Sequence, residues 1–169
     1  MNYSNIIPYD TANGEGIRTS LFVSGCTNNC KGCFNKESQD FNYGKPYTEQ
    51  TEKEILEYIS KPYVAGLSIL GGDPMCQNDD DLCELIRLCT KVYILNKSVW
   101  LWTGYMFEDC LNNPIKKSLL AMCNIIVDGP FIESKKDLTL AFRGSSNQRI
   151  IDVKKSLDKG EVVLYNKYS

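Results

Sequence analysis

Cys26, Cys30 and Cys33 form a C-x3-C-x2-C group, so three thiols lie within eight residues and can converge on one centre. Soft sulfur donors select zinc, copper(I) or iron–sulfur clusters. The chain has no His among its 169 residues, which excludes mixed Cys–His zinc sites and a Rieske centre. A structural zinc needs four closed ligands, and here the fourth would have to be a distant cysteine such as Cys76. A cubane cluster ordinarily takes four cysteines. Three leave one iron without a protein ligand, and an open metal position marks a site that binds and activates something. The remaining thiols, Cys76, Cys83, Cys89, Cys110 and Cys123, lack ligand spacing and read as small core hydrophobes, Cys89 on the apolar face of a predicted helix.

The elements that must position this loop follow from hydrophobic periodicity. Residues 17–24 read as a strand that delivers the chain into Gly25 and the cysteine loop. A polar stretch to about Gln50 follows, then a short helix with a capping-box pattern at Thr51-Glu52-Lys53-Glu54 and an apolar stripe of Ile55, Leu56 and Ile59. A second strand, residues 67–70, is halted by Gly71-Gly72-Asp73-Pro74. A helix from about Asn78 to Leu95 leads to a third strand, residues 99–102, which runs into Thr103-Gly104. A helical region with Pro114 near its middle precedes a fourth strand, residues 124–127, ending at Asp128-Gly129-Pro130. Residues 149–153 and 161–165 are further strand candidates.

Alternating strands and helices predict a mainly parallel sheet, in which ligands bind at the carboxyl ends of the strands. Four unusual segments fall there: the cysteine loop, Gly71-Gly72-Asp73-Pro74, Thr103-Gly104 and Asp128-Gly129. A closed eight-stranded barrel needs about 250 residues. The expectation is therefore a single α/β domain over residues 1–169, a partial (β/α) barrel or curved sheet of five to six mainly parallel strands. A chain of this mass should expose roughly 8,400 Å² when folded.

Composition narrows the partners. A formal net charge of −2 gives no global attraction for a nucleic-acid backbone or an anionic membrane. No apolar run approaches a membrane span, and the first residues lack the pattern of a signal peptide, so a cytoplasmic protein is expected.

The cysteine group with Phe34 directly after it resembles the cluster loop of the radical S-adenosylmethionine enzymes, and Gly71-Gly72-Asp73-Pro74 resembles their Gly-Gly-Glu motif with Asp for Glu. More narrowly, five segments are similar in order and spacing to the activating proteins of anaerobic ribonucleoside-triphosphate reductases. They are Asn13-Gly14-Glu15-Gly16-Ile17-Arg18, Gly32-Cys33-Phe34-Asn35, Trp102-Thr103-Gly104-Tyr105, Val127-Asp128-Gly129-Pro130-Phe131 and Arg143-Gly144-Ser145-Ser146-Asn147-Gln148-Arg149. Where relatives often carry a His between the first two cysteines, this chain has Asn28-Asn29.

The resemblance implies that Cys26, Cys30 and Cys33 hold a [4Fe-4S] cluster whose fourth iron chelates the methionine part of S-adenosylmethionine. One-electron reduction, by a donor such as flavodoxin, would cleave the cofactor to methionine and a 5′-deoxyadenosyl radical. That radical would take a hydrogen from a backbone glycine of the reductase large subunit, a protein substrate. No catalytic residue is implied beyond cluster and cofactor. Gly71 and Gly72 would admit the cofactor's ammonium or supply a tight turn. Asp73 would orient that ammonium or cap the turn. Gly32 would let the loop close; Phe34 would pack near the adenine or in the core. Thr103 would bind the ribose or end its strand, and Asp128 and Arg143 would contact cofactor or form surface pairs. The competing readings are a small radical enzyme acting on a small molecule, like 7-carboxy-7-deazaguanine synthase, and a zinc-stabilised binding module.

Overall fold

A computed structural model describes residues 1–168; Ser169, the last residue of the expected domain, lies outside them. Seven strands form one mixed sheet: β1 (Asn2–Asp10), β2 (Ile17–Val23), β3 (Lys45–Pro46), β4 (Val64–Gly71), β5 (Ser98–Trp102), β6 (Ile125–Asp128) and β7 (Arg149–Asp152). Their order is β3-β1-β2-β4-β5-β6-β7. The middle four strands run parallel, while β1 and β7 pair antiparallel to β2 and β6, and β3 pairs antiparallel to β1. The expected five or six strands are thus seven, with antiparallel additions at both edges.

Five helices complete the order: α1 (Glu49–Ile59), α2 (Asp79–Ile94), α3 (Phe107–Cys110), α4 (Pro114–Ala121) and α5 (Val153–Lys159). The parallel strands follow one another in chain order, and the intervening helices pack side by side, α1 on α2, α2 on α4, α4 on α5. Register makes the layering visible. Leu21, Ile69, Leu101, Ile126 and Ile151 stand abreast across five strands, and all join the core packed against Leu85, Leu88, Cys89, Leu119 and Leu120 of the helices. Residues one step along point to the opposite face. There Arg18, Ser20 and Ser68 are buried and polar, whereas Trp100, Ile125, Val127 and Ile150 form a second apolar cluster.

Local departures from the sequence expectations have simple causes. β1 is absent from the sequence reading, because Ser4 and Asn5 between Tyr3 and Ile6, the adjacent Ile6-Ile7 and the following Pro8 spoil a clean alternation. α1 starts a turn early: Thr48, not Thr51, is the N-cap, and the two threonines exchange the capping-box bonds. The helical region around Pro114 is two helices, because Asn113 caps α4 and Pro114 occupies its first turn, where a missing N–H costs nothing. Residues 161–165 form only an isolated bridge, Leu164 to Ile151. Cys89, Cys110 and Cys123 are buried as expected, but Cys83 is exposed and Cys76 only half-buried. No helix among the described residues is long and apolar enough to cross a membrane.

Arg18 binds the polar face together. Its guanidinium is almost fully buried and donates to Ser68 Oγ at 2.8 Å, Leu67 O at 2.8 Å, Ser98 Oγ and Ser98 O at 3.0 Å, and Glu15 O at 3.3 Å. Burial pushes the group down to about 10, and the many oxygens keep the cation in place. Arg18→Met should therefore lower stability by about 3 kcal/mol, since charged hydrogen bonds vanish and buried carbonyls lose their donor. Thermal denaturation should show a fall of roughly 10 °C; an unchanged midpoint would mean that water replaces the guanidinium.

Candidate functional site

Strand β2 ends at Val23, and Ser24 and Gly25 lead into the cysteine loop. Asn29 (φ 50°) and Gly32 (φ 74°) turn this loop, and Cys33 N–H closes it on Cys30 O at 3.3 Å. Alongside, β4 ends at Gly71 and Gly72. A Cβ on Gly71 would stand 2.5 Å from Val23 O, and one on Gly72 would stand 2.6 Å from both Gly25 O and Ser38 O. Both glycines therefore let the two strand ends close on each other, and the Gly72 and Asp73 N–H groups donate to Val23 O and Gly25 O at 2.7 and 2.9 Å.

Asp73 is the organising group. One carboxylate oxygen accepts from Asn28 Nδ2 at 2.7 Å, Gly104 N at 2.8 Å and Thr103 Oγ1 at 3.1 Å; the other accepts from Met75 N at 2.9 Å. A fully buried carboxylate thus joins the loops after β2, β4 and β5. Burial, with the nearby Cys76, pushes its pKa up to about 7, against the lowering effect of these bonds.

The result is one cavity of about 410 Å³ at the carboxyl ends of the parallel strands. Its wall includes Cys26, Cys30, Cys33, Phe34, Gly71, Gly72, Asp73, Thr103, Gly104 and Gly129. All four segments singled out in the sequence contribute. Phe34 remains more than half exposed, packs on Phe131 at 5.0 Å and lies under the Lys136 ammonium. The Thr103 hydroxyl is engaged twice, donating to Asp73 and accepting from Tyr105 N at 3.1 Å.

Two expected residues lie back from the wall. Gly32 faces the Glu133 side chain. Asp128 is fully buried and accepts from Phe107 N at 2.8 Å and from Arg149, which also reaches Glu108. Arg143 does line the cavity; it donates to Gln148 O and Tyr168 O, while its buried Nε has no protein partner among the described residues.

Residues 12–151 match a protein-family model described as a 4Fe-4S single cluster domain. The chain is 38% identical over 151 residues to the anaerobic ribonucleoside-triphosphate reductase-activating protein of Escherichia coli K12, across 88% of this chain and 96% of the relative. It is 40% identical over 152 residues to the protein of that name from Enterobacteria phage T4, across 89% and 93% of the two chains. The chain belongs to the family of these activating proteins. It is accordingly an oxidoreductase of the radical S-adenosylmethionine class that activates a glycyl-radical enzyme, with a 4Fe-4S cluster domain.

The residues present suit that cluster. Each protein-ligated iron of a cubane takes its own thiolate, and three half-buried thiols of one loop line one cavity. The tight group among the described residues is a different one: ligand atoms of Cys26, Asp73 and Cys76 lie within 4.8 Å of one another. It makes a poor zinc site, because both Asp73 oxygens already accept protein hydrogen bonds. Hydrogen bonds from Cys26 and Thr27 hold the Cys76 thiol down at about 5, and the same pairing with Cys76 pushes Cys26 up.

Cys76, read from the sequence as a core thiol or as the distant fourth ligand of a zinc site, stands beside Cys26 and Asp73, and sequence reasoning missed Gln148, whose side chain ties Gly144 and Ser145 N–H to Gly129 O. The activating-protein motif Arg143-Gly144-Ser145-Ser146-Asn147-Gln148 contained that second signal without its geometry.

Asp73→Asn tests the organiser. Whichever way the amide is turned, its NH2 meets a donor, Met75 N–H on one side or three donors on the other. Stability should fall by about 2 kcal/mol, and amide hydrogen exchange should rise in residues 26–30 and 103–105. Unchanged exchange there would assign the carboxylate no organising part.

Proposed function

We propose that this activating protein installs a glycyl radical on the large subunit of anaerobic ribonucleoside-triphosphate reductase, using a [4Fe-4S] cluster and S-adenosylmethionine. The observation that carries the reading is the convergence of the three loop cysteines with the ends of β4, β5 and β6 on one cavity. When bound, the cluster and cofactor supply a one-electron cleavage to methionine and a 5′-deoxyadenosyl radical, which takes hydrogen from the target glycine.

The chain's own residues hold and shield. Cys26, Cys30 and Cys33 ligate three irons. Gly71 and Gly72 bring the end of β4 against Val23 and Gly25 at the start of the cysteine loop, and present backbone in the cavity wall to the cofactor's amino group. Asp73, with both oxygens engaged by protein donors, positions Thr103, Gly104 and Asn28. Phe34 and Phe131, packed together in the cavity wall, offer an aromatic surface to the adenine. Gly32 lets the loop turn back. Asp128 anchors the end of β6 through Arg149, which sets Gly129 at the cavity wall.

Chain-ordered parallel strands with their helices in one layer support a partial (β/α) barrel, a single domain over residues 1–169. Its unclosed side leaves room for a loop of a protein substrate. The electron donor is a one-electron reductant such as flavodoxin, and the reaction takes place in the cytoplasm, without nucleic acid or membrane.

Anaerobically reconstituted protein with dithionite and S-adenosylmethionine should release 5′-deoxyadenosine, and adding the reductase large subunit should produce a glycyl-radical EPR doublet. Cys26→Ala, Cys30→Ala and Cys33→Ala should each abolish both signals, whereas Cys83→Ala and Cys110→Ala should retain them. Cluster-loaded wild type that releases no 5′-deoxyadenosine would sink the reading.

A further inference from the structure

Cys76 is a thiol that the proposed reaction does not use, and it stands beside one that it does. Its sulfur lies within 4.8 Å of the Cys26 sulfur. It is not part of the cavity wall that Cys26, Cys30 and Cys33 share. Cys76 therefore flanks Cys26 from outside the wall that the three loop thiols share.

The two segments are held together by backbone and amide contacts that do not involve the thiols, and by one further bond to the Cys76 sulfur. Gln77 Nε2 donates to Ser24 O at 3.0 Å, Asp73 N donates to Gly25 O at 2.9 Å, and Thr27 N donates to Cys76 Sγ at 3.5 Å. Both cysteines are half-buried, unlike the buried core thiols Cys89, Cys110 and Cys123. Side-chain rotation alone can bring sulfurs at this separation to bonding distance when the backbones are already adjacent.

We propose that Cys26 and Cys76 form a reversible disulfide in the cluster-free protein, a redox latch on a cluster ligand. The oxidant is a low-molecular-weight disulfide, RSSR. One thiolate attacks it, releasing the first RSH and leaving a mixed disulfide; the second thiolate attacks that bond, releasing the second RSH. The two cysteines lose two electrons and two protons in total, and both appear in the two RSH products. Excess thiol reverses the sequence. A sulfur held in this bridge cannot ligate iron, and it is also withheld from irreversible over-oxidation to the sulfinic acid. Cluster loading is then gated by the thiol poise of the compartment, the transient kind of disulfide that reducing compartments permit.

The test uses the full cluster-free chain carrying Cys83→Ser, which removes the exposed thiol sharing a tryptic peptide with Cys76. After incubation with glutathione disulfide and alkylation, non-reducing peptide mapping should show residues 19–31 linked to residues 54–87, with fragmentation placing the bond at Cys26 and Cys76. Cys76→Ser in the same background should lose this species. Oxidised protein should fail to take up iron with iron and sulfide, and dithiothreitol should restore uptake to that of never-oxidised protein. A bridge between Cys30 and Cys33 instead, or Cys76 recovered only alkylated or glutathionylated, would overturn the latch. The gating part rests on the proposed ligation, and the arms separate the two: failure of reduced protein to bind iron counts against the ligand assignment, while the peptide link tests the bridge directly.

Discussion

One buried carboxylate sets the geometry on which the cavity depends. Asp73 lies where β4 ends, and its oxygens collect donors from the loops that follow β2, β4 and β5. Parallel strands end with unpaired backbone groups pointing the same way, so three successive loops need a common acceptor if they are to form a wall. A carboxylate with four donors can be kept in a water-poor place, since charge-assisted bonds offset its lost hydration. The same demand explains the two glycines before it. Only a backbone without Cβ lets the end of β4 approach Val23 and Gly25 closely enough for Asp73 to reach across.

Asn28 ties the cysteine loop to the end of β4. Its amide donates to Asp73 at 2.7 Å, fixing the first half of the cysteine loop relative to β4. An amide has one set of donors at every pH, whereas an imidazole at that position would change charge near neutrality. The second half of the loop depends on Asn29 in the left-handed region, which Asn tolerates better than most residues.

The far wall is held differently, by aromatic packing. Phe142 also adopts a positive φ of 58°, a conformation that costs of order 1–3 kcal/mol. Its ring is fixed edge-on between Trp100 and Tyr168, at 5.2 and 5.0 Å, and its carbonyl accepts from Trp102 Nε1 at 2.8 Å. The C-terminal residues complete that cluster, and Tyr165 donates to Glu15 at 2.9 Å in the loop that precedes β2. Strain on one residue is thereby balanced by contacts that arise from three separate regions of the chain.

Periodicity and punctuation determined the four central strands, the helices between them and the placement of the special segments at the strand ends, because a parallel sheet leaves little choice about which end carries the loops. The cysteine triplet and the glycine pair were legible for the same reason: their chemistry and conformational needs are properties of residue type and short spacing. The edge strand β7 was legible at residues 149–153, but β1 and β3 at the other side were not, since they owe their conformation to hydrogen bonds with partners distant in sequence. Nor could spacing show that Asp73 is engaged by the protein itself, that Asp128 is committed to Arg149, or that Cys76 belongs beside Cys26 and not in the core. Each of these is a contact between groups on different loops, and only the packing of the sheet decides which loops meet.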